Sequence, residues 1–194
     1  TAPVFLDREA TIDKACRLIG QAGRRGARLI VFPETWVPGY PFWLTSGLPL
    51  QEPLRLFTRL FKNAVEVPSA ATEALGRAAA KAGAYVAIGV NERDARYKGS
   101  LYNTLLYIDD RGWLLGKHRK LMPSYGERTV WGWGDGSGLH VFDTPLGRVG
   151  GLICWEHEMP LVRYAMYSKG EQVHCSVWPA YSFQNEHIHF GCRQ

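Results

Sequence analysis

GRVGGLICWEHEMPLVRYAMYSKG, residues 147 to 170, sets an apolar run, a cysteine and a helical pattern in immediate succession. The residues from Val149 to Ile153 are apolar and punctuated by glycine, which predicts a short buried strand. Cys154 ends that run, and Trp155, Glu156 and His157 follow it. Pro160 stands where the first turn of a helix tolerates proline. Leu161, Tyr164 and Ala165 then recur at helical spacing until Gly170. A cysteine between a strand and a helix is fixed in position by the strand. It also lies near a helix N-terminus, whose partial positive charge favours a thiolate. A cysteine that only fills the core fits the same pattern, so the remaining residues must decide between the two.

The chain has 194 residues, 46% of them hydrophobic and 21% charged, which predicts one globular domain over 1–194 and excludes a disordered chain. The net charge of +5 is scattered, with one dense cluster at Lys117 to Lys120, so no nucleic-acid surface is predicted. No apolar run approaches the length of a membrane span. Cys16, Cys154, Cys175 and Cys192 show neither CxxC spacing nor the density of a disulfide scaffold, which predicts a reducing, cytoplasmic setting. No His or Cys pair has metal-site spacing, so no metal is expected. The sequence starts at Thr1 without a methionine and stops after Gly191-Cys192-Arg193-Gln194 without a terminating element, and it reads as partial at both ends. Missing strands would leave open sheet edges, so these 194 residues alone are expected to aggregate and to be inactive.

Working outward, Asp7 predicts the cap of a helix whose inner face is Ala15, Leu18, Ile19 and Ala22. The run from Leu29 to Phe32 predicts a buried strand, and Pro33-Glu34 follows it. That places a carboxylate at the carboxyl end of a strand, where open α/β sheets carry functional groups. The loop from Trp36 to Leu50 is crowded with rings. Helices are predicted around Leu54, Phe57, Leu60 and Phe61, and after Ser69. Strand patterns cover Ala84 to Val90, a hairpin from Leu101 to Gly116, Leu139 to Phe142, and Gln172 to Val177. The residues from Lys117 to Gly138 show no period and predict a long functional loop. Strands alternating with helices, with hairpins between, make the chain an α/β protein with a mixed sheet.

Glu34, Lys120 and Cys154 make chemical sense together. A carboxylate can take the thiol proton during attack, and a lysine can stabilise charge developing on the substrate. The segments VFPE (31–34), HRKLMP (118–123) and LICWE (152–156), with YGERTVWGWGDGS between the last two, resemble the nitrilase superfamily of carbon–nitrogen hydrolases, over essentially the whole chain. Cys154-Trp155-Glu156 is similar to its nitrilase branch. His157, the run Glu171 to His174, and Trp178-Pro179 resemble aliphatic and arylacetonitrile enzymes and their cyanide-degrading relatives.

The resemblance implies a four-layer αββα sandwich, incomplete at both termini. It implies a triad of Glu34, Lys120 and Cys154, with Glu127 as a second glutamate beside it. It also implies hydrolysis of an organic nitrile to the acid and ammonia through a covalent cysteine intermediate, with no cofactor. The partners it implies are a small nitrile and further copies of the chain, from a dimer up to a filament, with no nucleic acid or membrane. Because nitriles offer little hydrogen bonding, a ring-walled pocket drawn from Trp43, Tyr125, Trp155 and Trp178 is expected. His157 and His174 are expected to pack or to support the site. A cyanide hydratase or dihydratase, an amidase, and a noncatalytic binding or assembly domain are the competing readings.

Overall fold

The computed structural model describes residues 1–179. Cys192 lies outside them. The elements are α1 (Arg8–Arg24), β1 (Leu29–Val31), α2 (Gln51–Lys62), α3 (Ala70–Ala82), β2 (Tyr85–Arg93), β3 (Leu101–Ile108), β4 (Leu114–Arg119), β5 (Phe142–Thr144), β6 (Gly147–Ile153), α4 (Pro160–Ser168) and β7 (Val173–Val177).

Local chemistry accounts for most boundaries. The Asp7 side chain accepts from Ala10 N and starts α1. Ser69 and Thr72 form a capping box on α3, and Gly83 ends it in the left-handed conformation. Pro160 occupies the first turn of α4.

Two sheets result. The first has the order β1-β2-β3-β4, with β1 parallel to β2 and antiparallel pairing thereafter. The second has the order β5-β6-β7, with β6 parallel to β7 across the α4 connection. Strand residues alternate between faces. On one face of the first sheet, Val86, Ile88, Val90, Leu106 and Ile108 meet Ile12, Ala15 and Ile19 of α1 and Leu75 and Ala79 of α3. On the other face, Ala87, Leu105 and Tyr107 meet Val149, Ile153, Cys175 and Val177 of the second sheet. The far side of the second sheet packs Leu152 against Met166 of α4. These layers make an αββα sandwich, as the sequence implied.

Three boundaries differ from expectation. The hairpin strand expected to end at Gly116 continues to Arg119, so Lys120 stands at a strand end rather than inside a long loop. Glu92 explains the extension. Its buried carboxylate, on β2, accepts from Lys117 and Arg119 of β4 and from Thr104 of β3. Burial opposes its charge, but these donors hold its pKa below the usual carboxylate range. The strand expected over Leu139 to Phe142 forms later, as β5, because Asp135 caps a short 3-10 turn at Gly136–Gly138. Cys154 does not open an α-helix. It begins a 3-10 turn, Cys154–Glu158, and α4 starts only at Pro160.

Candidate active site

Glu34 follows β1 over the middle of β2, and Gly89 makes that crossing possible. A Cβ at Gly89 would lie 2.3 Å from the Pro33 carbonyl and 2.5 Å from Thr35 N. Trp178, after β7, then accepts a hydrogen bond from Glu34 N and ties the two sheets together at the site. Lys120 N is held by the Asn103 carbonyl on β3. Glu127 lies in a 3-10 turn, Tyr125–Thr129, where its carboxylate caps Ser124 N at 2.7 Å.

These three elements converge on one buried ammonium. Lys120 Nζ donates to Glu34 Oε1 at 3.1 Å and to Glu127 Oε2 at 2.7 Å. Tyr40 Oη donates to Glu127 Oε1 at 2.7 Å, so both oxygens of Glu127 are engaged. Asn103 Nδ2 donates to Glu34 Oε1 at 2.6 Å, whereas Glu34 Oε2 is buried and has no hydrogen-bond partner. Glu34 is therefore the carboxylate with an oxygen free to take a proton.

Charge balance agrees. Two buried carboxylates face one ammonium and leave an excess negative charge. Burial first, and then Glu127, raise the Glu34 pKa, while Lys120 and Asn103 pull it down, and it settles at about 7. Burial works against the Lys120 charge, but Glu34, Cys154 and Glu127 hold its pKa above the ordinary value.

Cys154 completes the cluster electrostatically. Burial and the Glu34 charge hold its thiol well above its ordinary pKa, against the pull of Lys120 and of the Trp155 backbone N–H bonded to it. The expectation that a helix N-terminus would favour a resting thiolate is therefore replaced. The helix begins too late to act, and the group rests as a thiol. Its backbone is strained, with φ of 53°. Of the four non-glycine residues with positive φ among the described ones, Thr35, Tyr125 and Cys154 all border the cluster.

Glu156 links the two halves of the site. Fully buried, it accepts from Leu121 N at 2.8 Å, from Ile153 N at 2.7 Å and from His118 Nε2 on both oxygens. One carboxylate thus fixes the residue after Lys120 and the residue before Cys154. In Glu156→Gln an amide NH2 would oppose one of those N–H groups. The expected result is a loss of about 1–3 kcal/mol in denaturant unfolding, the cost of an unsatisfied buried donor. An unchanged midpoint would contradict it.

A cavity of about 680 Å³ opens above Cys154 and Glu127. Tyr40, Leu44, Met122, Tyr125, Trp155 and Met159 supply much of its wall. Of the four rings expected there, Tyr125 and Trp155 line it. Trp43 packs with Leu6, Leu60 and Trp131, and Trp178 stacks on His157, so both belong to the cores behind it. Aromatic content marks such rings in a sequence but does not say which side of a loop they face. Tyr40, Asn103 and Glu156 were not singled out as site residues. The readable signal for Asn103 is a lone amide inside an otherwise apolar stretch of β3. Among the described residues no group of three His, Cys, Asp or Glu side chains is placed to hold a metal, and no helix is long and apolar enough to cross a membrane.

Several known proteins share this arrangement of sequence. A nitrilase of Bacillus sp. (strain OxB-1) is 46% identical over 193 residues, covering all of this chain and 55% of that protein. A nitrilase of Pseudomonas syringae pv. syringae is 45% identical over 93% of the chain and 53% of its own length. A bifunctional nitrilase/nitrile hydratase of Nicotiana tabacum is 42% identical over 97% and 56%. The chain thus spans about half the length of the curated relatives it matches. Among solved structures, Nit3 of Saccharomyces cerevisiae superposes with a TM-score of 0.74 at 22% identity, over the whole chain and 66% of its own. An amidase of Nesterenkonia AN1 superposes with a TM-score of 0.71 at 17% identity, over 99% and 68%. Both share the fold. The carbon–nitrogen hydrolase family model matches residues 1–191, and with these relatives it places the chain in the carbon–nitrogen hydrolase family.

Proposed function

We propose that this chain carries the catalytic centre of a nitrilase, with Cys154 as nucleophile, Glu34 as general base, Lys120 as electrostatic stabiliser and Glu127 as the residue that orients Lys120. The observation that carries this reading is the unpartnered Oε2 of buried Glu34 in the same charge cluster as the strained Cys154. The nitrilases at 45% and 46% identity support the choice of substrate. The Nesterenkonia amidase supports the covalent route, since its active-site cysteine takes up an acetamide moiety.

The chemistry follows from the charges. As the sulfur adds to the nitrile carbon, its proton passes to Glu34 and a thioimidate forms. Water then adds to give a tetrahedral species, with Lys120 beside the developing charge. Breaking the C–N bond releases ammonia and leaves a thioester, which a second water, deprotonated by Glu34, cleaves to the acid and the free thiol. Breaking the C–S bond at the tetrahedral species would instead release the amide, the outcome suggested by the bifunctional tobacco relative. Tyr125 and Trp155 would bind the organic part of the nitrile through ring contact. No step calls for a cofactor. Ammonia and amide release by the intact protein over matched aliphatic nitriles, aryl nitriles, amides and cyanide tests the reading. Hydrolysis of amides but not nitriles would overturn it.

A pH dependence is expected with it. Glu34 must be ionised to accept the proton, and its pKa is raised to about 7. kcat/KM should therefore fall below about pH 7, by about tenfold per unit once Glu34 is mostly protonated. A profile that stays flat down to about pH 5 would contradict the role given to Glu34.

A further inference from the structure

Behind Cys154 runs a chain of hydrogen bonds that the proposed chemistry does not use. His157 Nδ1 lies 2.5 Å from the Cys154 carbonyl. His157 Nε2 lies 2.9 Å from His174 Nε2, and His174 Nδ1 lies 2.8 Å from Glu171 Oε2. His157 is buried and stacked on Trp178, with ring centroids 5.2 Å apart. The Glu171 side chain is 3% exposed and that of His174 31% exposed, so the chain runs from the core toward solvent.

The protons on this chain can be counted. A carbonyl only accepts, so His157 Nδ1 carries hydrogen. A neutral His157 then has a bare Nε2, and His174 Nε2 must donate to it. His174 Nδ1 faces a carboxylate oxygen, so a hydrogen must lie there too, on the ring or on the acid. Every bond is made only when His174 and Glu171 together hold one proton beyond neutral imidazole and free carboxylate. With that proton lost, one bond has no hydrogen. With a second proton on His157, two N–H groups meet head-on. Burial, together with His174 and Arg163 and against Glu156 and the Cys154 carbonyl, lowers the His157 pKa to about 4, which keeps the proton at the outer end.

The other groups near this chain are few. Tyr107 of β3 feels Glu171 and Glu156, as well as Cys175 of β7, and is held protonated by burial first. Cys175 also stays a thiol, its pKa pushed up to about 12 by burial and Glu171. From β6, Gly150 leaves room for the Glu171 carboxylate, since a Cβ there would lie 2.3 Å from Oε1.

We propose that Glu171, His174 and His157 form a single-proton relay that fixes the Cys154–Trp155 peptide, which makes all three positioning residues for the nucleophile. In a trans peptide the carbonyl and the next N–H point in opposite directions. Holding the Cys154 carbonyl on His157 therefore aims the Trp155 N–H away from it, and that N–H bonds to the thiol. The relay thus sets the one backbone donor on the sulfur of a residue in a strained conformation. Its relevance to turnover rests on the nitrilase reading, but the relay can be tested without it.

In the intact protein, nitrogen-15 NMR of labelled histidine should show His157 as the neutral Nδ1–H tautomer and a His174 that titrates. Alkylation of Cys154 by iodoacetamide, followed by mass spectrometry, reads the sulfur directly. His174→Phe removes the donor, and alkylation should slow by about tenfold, the kinetic equivalent of one lost hydrogen bond. His174→Gln keeps an N–H for His157 but cannot titrate, so it should restore the rate. The ratio of wild-type to His174→Gln rates should then drop as His174 loses its proton. If His174→Phe does not melt cooperatively, Glu171→Gln replaces it, and the His174 titration should move to lower pH. An Nε2–H tautomer at His157, equal rates for the Phe and Gln variants, a flat ratio, or an unmoved titration in Glu171→Gln would each overturn the relay. With nitriles, His174→Phe should lower kcat and leave KM nearly unchanged. If the NMR and alkylation results hold but no nitrile is hydrolysed, the catalytic reading fails and the relay stands.

Discussion

Replacing Cys154 by alanine is expected to lower ammonia release from nitriles by roughly 10⁴-fold or more, the scale seen when a nucleophile is removed. Substrate should still bind, because the cavity wall is built by other residues. The control lies in the same chain. Cys175 is a buried thiol in the core between the sheets, and Cys16 packs on α3 with its sulfur 3.6 Å from the Ala74 carbonyl. Neither lines the cavity, so Cys16→Ala and Cys175→Ala should keep most turnover, with stability costs from the lost packing. Steady-state kinetics on the three variants, with acid-quenched mass spectrometry for a covalent adduct on the wild type, checks the prediction. Equal losses in all three folded variants would refute the assignment of Cys154.

Lys120→Met should have the second-largest effect, on stability as well as turnover. It leaves Glu34 and Glu127 buried together without their shared cation. Breaking a buried ion pair in this way costs about 3–5 kcal/mol. Turnover should fall by about 10²–10³-fold with the loss of the stabilising charge. The pH dependence of stability gives an independent signature. A carboxyl whose folded pKa is raised binds more protons folded than unfolded, so stability falls as pH rises between the two values. For Glu34 in the wild type that window runs from 4.5 to about 7. Without Lys120 its upper edge moves higher. The variant should therefore gain melting temperature relative to wild type on acidification from about pH 8 to about pH 6. Parallel melting curves across that range would show that Lys120 does not hold the two carboxylates.

The layers and the position of the nucleophile are legible in local chemistry. The Asp7 and Ser69 caps, the glycine stop at Gly83, the first-turn proline of α4 and the short apolar strands each act over a few residues. Such signals survive in one dimension. So do Glu34 after an apolar run and Cys154 after another, because a strand end is a local event. The segments VFPE, HRKLMP and LICWE were readable for the same reason.

What the sequence could not determine depends on contacts between residues far apart in the chain. The three extra residues of β4 exist because Glu92, 27 positions away, binds Arg119. The Glu34 oxygen that remains free is decided by Asn103, 69 positions on, and by Lys120, 86 positions on. Which rings face the cavity depends on how loops close over the sheet, and Trp43 and Trp178 look no different from Trp155 as letters. The resting state of Cys154 follows the same rule. A local reading saw a helix start and predicted a thiolate. The folded protein buries the sulfur near the Glu34 charge and keeps it a thiol, because charge interacts through space and not along the sequence.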